Sequence, residues 1–268
     1  MTSAALKSTP PSALAKAVAD AGTMTGRHLR RLARVPSLIA FATVQPVLLV
    51  LLFTYGFGGA VHPLGVTRYI DYLLPGLLVL AIGFGASQTG VAVAEDLDSG
   101  MIDRFRALPV AGVSVLTGRA AADVVRNLLV TGLMIAVGTA IGFRFHAGPA
   151  AAIAAVALAA ATGLAFSWLN IGLGLLVRDP ESAGLAGLFP VIILVFASST
   201  LVPVATMPGW LQAFAKVNPV TVIAGALRVL CLGGPAARPV AQALAWIAGL
   251  LLATVPLATR RYRHTASA

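Results

Sequence analysis

Residues 95–109 read Glu95-Asp96-Leu97-Asp98-Ser99-Gly100-Met101-Ile102-Asp103-Arg104-Phe105-Arg106-Ala107-Leu108-Pro109. Four of the chain's nine acidic residues stand here, Glu95, Asp96, Asp98 and Asp103, with Arg104 and Arg106 close behind. On either side lies an apolar stretch long enough to cross a bilayer. Only 10% of the 268 residues are charged, so this density divides segments that belong in lipid from one that belongs in water. A charged, helix-forming surface held at a membrane face is a place where a soluble partner can deliver force.

The flanking stretches set the fold class. The chain is 58% apolar with a mean hydropathy of +0.91, above the roughly 45–50% apolar content of soluble domains. A spanning helix needs about 20 mostly apolar residues to cross about 30 Å of hydrocarbon. Six stretches have that length: 38–57, 73–94, 124–143, 150–177, 184–204 and 240–258. The expectation is an all-α polytopic membrane protein with six transmembrane helices within residues 37–260. The net charge of +10 would point to nucleic acid in a soluble protein, but here the bilayer accounts for it and no nucleic acid is expected. With both termini cytoplasmic, the inner side carries Lys7, Lys16, Arg27, Arg30, Arg31, Arg34, Arg104, Arg106, Arg119, Arg126, Arg178, Arg260, Arg261 and Arg263. Outside fall Arg68, Arg144, Lys216, Arg228 and Arg238. That bias fits the positive-inside rule and predicts a multi-pass protein of the cell (plasma) membrane.

Outward from the charged run, the remaining pieces fall into place. A mobile cytoplasmic tail is expected over 1–22. Arg27, Arg30, Arg31 and Arg34 then recur on one helical face, predicting an interfacial amphipathic helix over 23–36 with its arginines at anionic headgroups of the inner leaflet. The same arginines also read as a plain positive-inside signal. The external segment 205–239 contains Met207-Pro208-Gly209-Trp210, Asn218-Pro219 and Gly233-Gly234-Pro235. Two Pro/Gly breaks around apolar pieces predict re-entrant short helices before the sixth span. A second cytoplasmic tail occupies 261–268. Within the coupling loop, 95–112, Asp98 or Ser99 can cap a helix that Pro109 ends. Met101, Phe105 and Leu108 give that helix an apolar stripe, with Asp103, Arg104 and Arg106 around it.

The six central stretches lack Asp, Glu, Lys, Arg and His away from their ends, which disfavours coupling to an ion gradient. Their mild polar residues suit interhelical hydrogen bonds or a weakly polar substrate path, with Gln45, Gln88, Asn170, Ser198 and Ser199 as its candidates. There is no GxxxxGK[ST] for nucleotide phosphates and no HExxH for zinc, so no catalytic, cofactor or metal site is expected. The single cysteine, Cys231, excludes an intrachain disulfide.

The run Glu95–Pro109 resembles the signature loop of ABC-2 type permeases, above all the membrane subunits of daunorubicin/doxorubicin-resistance exporters. Tyr72-Leu73-Leu74-Pro75-Gly76, Pro208-Gly209-Trp210 and Asn218-Pro219-Val220 add to the likeness, which covers about residues 27–261. The resemblance implies a permease that exports an amphipathic drug-like or lipidic compound, driven by a separate P-loop ATPase subunit holding ATP and magnesium. It implies a second permease chain, identical or diverged, and a coupling helix against the ATPase. Carried over, Glu95, Asp96, Asp98, Asp103, Arg104, Phe105, Arg106 and Pro109 are the ATPase-coupling residues. Export of a polysaccharide or glycolipid, or a non-transporting membrane scaffold, stand as alternatives.

Overall fold

The computed structural model describes residues 22, 26, 36–58, 68–99, 112–177 and 179–264. The interfacial helix expected over 23–36, the amino-terminal tail and the coupling helix after Gly100 therefore lie almost wholly outside the described residues. Of the second tail, expected over 261–268, residues 261–264 instead continue the last helix, Ala237–His264. Among those residues the regular structure is helical: α1 (Pro36–Phe57), α2 (Tyr69–Asp98), α3 (Gly112–Ala140), α4 (Pro149–Val177) and α5 (Pro180–Phe196), then a 3-10 turn (Val204–Thr206), α6 (Gly209–Val217), α7 (Pro219–Leu232) and α8 (Ala237–His264).

The expectation of six transmembrane helices is overturned. Among the described residues four helices are long and apolar enough to cross a membrane: Tyr69–Asp98, Val115–Ala140, Pro149–Val177 and Ala237–Tyr262. A fifth crossing arises only if α6 and α7, bent by 70° at their junction, are counted as one broken span. The polytopic all-α class stands; the count does not. Hydropathy joined residues 184–204 into one stretch, but α5 ends at Phe196 after 17 residues, about 25 Å of helix. The Ser198-Ser199-Thr200 turn is the physical cause. Ser198 Oγ donates to Val195 O at 2.6 Å and accepts from Thr200 N–H at 3.1 Å, so hydroxyls take up main-chain groups that a continuing helix would use. The apolar segment Val44–Gly56 of α1 is likewise short of a crossing. With four crossings or five, the parity of the count does not place the two termini on one side.

Helix ends follow local chemistry. Asp179 caps α5 through a 2.7 Å bond from Ser182 N–H, with Pro180 in the first turn where its missing N–H costs nothing. Asn218 and Pro219 repeat the device at α7. Gly233 ends α7 at φ 99°, a conformation open to glycine and strained for other residues.

α2 is the hub. Over its most apolar window 72% of residues are buried inside the protein, against 11% for α8. Leu73, Leu74, Leu77, Val79 and Ile82 are each 1% exposed or less. They lie in a core with Val50 of α1, Met134 of α3, Ala159 of α4 and Ile223 and Leu227 of α7. A second cluster joins Val93, Leu116, Trp168, Leu175, Ala258 and Tyr262 at the end of the bundle where α2 finishes and α3 begins. That end is called proximal below, and the end near Tyr69 distal.

Candidate functional site

At the proximal end, α2 and α3 are joined by a ladder of charged groups. Arg119 Nη1 donates to Asp96 Oδ2 at 2.6 Å and to Ala92 O at 3.2 Å. One turn deeper, Thr89 Oγ1 donates to Asp123 Oδ2 at 2.5 Å. Arg126 Nη2 lies 3.2 Å from Asp123 Oδ1 and donates to Gly85 O at 2.6 Å. Gly85 leaves room for this, because a Cβ there would come within 3.3 Å of Arg126 Nη2. The ladder places charge inside a candidate span, Val115–Ala140. A span over 124–143 leaves Arg119 on the cytoplasmic side and Arg126 at the span's edge, whereas the helix carries both within the candidate crossing. Each buried charge is partnered, as a low-dielectric site requires.

The ladder fixes how the charged run is presented. Ser99 forms the C-cap of α2, its N–H bonded to Glu95 O and Leu97 O. Glu95, Asp96 and Asp98 thus form the last turn of α2, rather than a separate loop. Carboxylates at a helix C-terminus oppose the helix dipole, and Arg119 compensates Asp96. Asp98 is exposed. Asp103, Arg104, Phe105, Arg106 and Pro109 lie outside the described residues, in a connection whose two ends are held together by this ladder. Arg27, Arg30, Arg31 and Arg34 also lie outside them.

The five residues considered for a substrate path are not brought together. Gln45 on α1 and Gln88 on α2 are exposed. Asn170 on α4 is 1% exposed; its Nδ2 donates to Phe166 O at 2.9 Å, while its Oδ1 faces Gly187 of α5 without a hydrogen-bond partner. Ser198 and Ser199 are buried in the turn after α5. Asn127 Nδ2 and Ser167 Oγ are further buried polar atoms without a partner. Among the described residues no three His, Cys, Asp or Glu gather as metal ligands.

Outside the spans, Asp179 has a shifted equilibrium. Hydrogen bonds from the Ser182 side chain, and then from its backbone N–H, hold its carboxyl below the usual carboxylate range.

Two residues that sequence reasoning left in an external loop organise the distal end. Asn218 Nδ2 donates to Leu194 O at 2.7 Å and Ala197 O at 2.9 Å, while its Oδ1 accepts from Val220 N–H at 2.9 Å. One side chain closes α5 and opens α7. Arg228, on α7, donates from Nε to Tyr72 O at 2.8 Å, from Nη1 to Ser199 Oγ at 3.0 Å, and from Nη2 to Ser199 O at 2.6 Å and Thr200 O at 3.2 Å. Its guanidinium carbon lies 3.7 Å from the centroid of the Tyr72 ring. Tyr72 and Tyr69 hydroxyls donate to Ser199 O at 2.7 Å and Leu201 O at 2.9 Å. The Asn-Pro pair was the available signal for Asn218. Arg228 gave none beyond being a cation in an apolar segment.

The ABC-2 type transporter family model matches residues 20–232. The chain is 31% identical over 252 residues to the daunorubicin resistance ABC transporter permease protein DrrB1 of Streptomyces coeruleorubidus, covering 93% of this chain and 89% of that one. It is 28% identical over 242 residues to the probable doxorubicin resistance ABC transporter permease protein DrrC of Mycobacterium tuberculosis, covering 90% and 87%. A shorter similarity, 32% over 114 residues, covers 42% of this chain and 39% of the doxorubicin resistance permease protein DrrB of the same organism.

Proposed function

This chain belongs to the ABC-2 type transporter family, and from that premise we propose how it receives work and what it moves. It is the membrane permease subunit of an ABC-type drug-resistance exporter and carries no nucleotide-binding motif, so ATP is hydrolysed by a separate partner. The observation that carries this reading is likeness over about nine-tenths of the chain to permeases named for daunorubicin and doxorubicin resistance. Those names favour an amphipathic, drug-like cargo over a saccharide. The proximal end faces the cytoplasm in this reading, and the protein works in the plasma membrane beside a second permease chain. Arg27, Arg30, Arg31 and Arg34 rest on the inner leaflet.

The ATPase docks on the segment between α2 and α3, through Glu95, Asp98, Asp103, Arg104, Phe105, Arg106 and Pro109. Asp96, bonded to Arg119, acts by stiffening that junction. Because α2 and α3 are zipped together below the docking segment, a push on the segment moves a helix pair rather than bending a loop. For the cargo path the exposed glutamines Gln45 and Gln88 are the proposed contacts; Asn170, Ser198 and Ser199, buried elsewhere in the bundle, are not part of that surface. The test is efflux of a fluorescent anthracycline from vesicles holding the permease and its ATPase. Asp103→Ala with Arg104→Ala is expected to abolish ATP-dependent efflux while the chain still inserts. Wild-type efflux by that double variant would refute the docking assignment, and no efflux by the native complex would refute the function.

A further inference from the structure

We propose that Arg228 is a positioning residue of the export cycle: it latches α7 and the broken end of α5 onto the distal end of α2, and its release opens that end for cargo. This rests on the reading of the chain as an ATP-driven exporter.

The junction has the make-up of a latch. Arg228 joins three elements that are not contiguous in sequence, bonding Tyr72 of α2 and the Ser199–Thr200 turn after α5 from its own place on α7. The elements also fit closely. A Cβ at Gly76 would lie 2.6 Å from Thr200 O, so the glycine after Pro75 lets the turn seat on α2. The acceptors of Arg228 are main-chain carbonyls and one hydroxyl. A guanidinium held to a carboxylate would leave an opposite charge stranded on separation. Held to neutral oxygens and only partly buried, it can exchange them for water. The same oxygens keep it bound at rest, because carbonyls at a broken helix end in an apolar setting need donors.

The latch also stands at the far end of a continuous lever. α2 is 30 residues long, about 45 Å, and its proximal end is fixed to α3 through Asp96–Arg119 and Gly85–Arg126. A displacement applied beside Asp98 therefore reaches Tyr72 along one buried helix. Below Arg228, α7 meets α2 through apolar contacts around a recess lined by Leu74, Pro75, Phe143 and Cys231. Such surfaces part with few polar groups to re-partner, the bond from His146 N–H to Cys231 O at 2.8 Å among them.

Cys231 supplies the readout. It is the chain's single thiol, 2% exposed, and three residues from Arg228 on α7. Vesicles with permease and ATPase are treated with a membrane-permeant maleimide, and adducts on this chain are counted by mass spectrometry beside efflux and ATP hydrolysis. In the native complex, alkylation is expected to be slow at rest and faster during ATP turnover. Arg228→Gln should be alkylated fast with or without ATP, and its efflux per ATP should fall at least about tenfold, the scale expected on losing a set of charge-assisted hydrogen bonds. Arg228→Lys should fall between. If Arg228→Gln does not insert, Arg228→Lys and Tyr72→Phe, which lacks only the hydroxyl donating to Ser199 O, give the same comparison. Alkylation indifferent to turnover, or wild-type efflux per ATP in the inserted variants, would overturn the latch. If the native complex shows no efflux, the exporter reading falls. Faster resting alkylation of Arg228→Lys than of the native chain would then uphold the latch alone, and equal rates would overturn it too.

Discussion

Asp123 answers two donors at once, the Thr89 hydroxyl on α2 and the Arg126 guanidinium on its own helix. Asp123→Ala leaves Arg126 in a partly closed site with Gly85 O as its acceptor. The expected cost is on the order of 2–3 kcal/mol, the range for stranding a buried charged group, read as a lower unfolding midpoint in detergent. Asp123→Asn keeps an acceptor for Thr89 and should lose less. Asp179 makes a pH-dependent contribution instead. Its carboxyl is held below the usual carboxylate range by Ser182, so the charged form binds better in the folded chain than in the unfolded one. The stabilisation is fully present above the unfolded carboxylate value and is lost as pH falls through the lower folded value. Asp179→Ala should therefore melt below the native chain at neutral pH, and the gap should close under acid. A gap that stays constant from neutral to acid pH would contradict this.

Elements differ in how close they come. Gly76→Val would drive side-chain atoms into the Thr200 backbone, whereas a Cβ at Gly225 on α7 meets nothing within 4 Å. Gly76→Val should cost about 1–3 kcal/mol through overpacking. Gly225→Ala should stabilise by up to about 1 kcal/mol, from helix propensity, and thermal melts of both variants check the pair. The sequence showed the long apolar helices well: 150–177 was expected and Pro149–Val177 is found. It erred where composition and geometry part. Hydropathy cannot see that Ser198, Ser199 and Thr200 will turn their hydroxyls on the main chain, so α5 was drawn too long. It also left Arg119 on the cytoplasmic side and Arg126 at the edge of a span, because partners on α2 are invisible until the two helices are aligned. Asn218-Pro219 announced a helix start, but nothing along the chain announced that the same asparagine closes α5. At the candidate site, Asp96 read as a docking group because Arg119 stands 23 positions away.

For the whole molecule, exposure sorts the apolar residues into two populations. Leu77 on α2 is 1% exposed and Leu252 on α8 is 77% exposed. Leu77→Ala removes a core side chain and should cost about 2–5 kcal/mol. Leu252→Ala should cost well under that, because lipid reaches it in both the separated and the packed helix. Comparable losses in the two variants would mean that α8 is covered by something other than lipid. The enclosure of α2 has a consequence for synthesis. α2 leaves the ribosome before α4, α5 and α7, the helices that later surround it. Until they arrive, its Tyr72 and Thr89 hydroxyls lie among acyl chains with their eventual partners Ser199 and Asp123 not yet made or not yet docked. A nascent chain halted before α4 thus displays an unsheltered helix, the kind of surface that membrane quality control recognises. Completion of the carboxyl-terminal half, rather than insertion of the first helices, is the step expected to end that exposure.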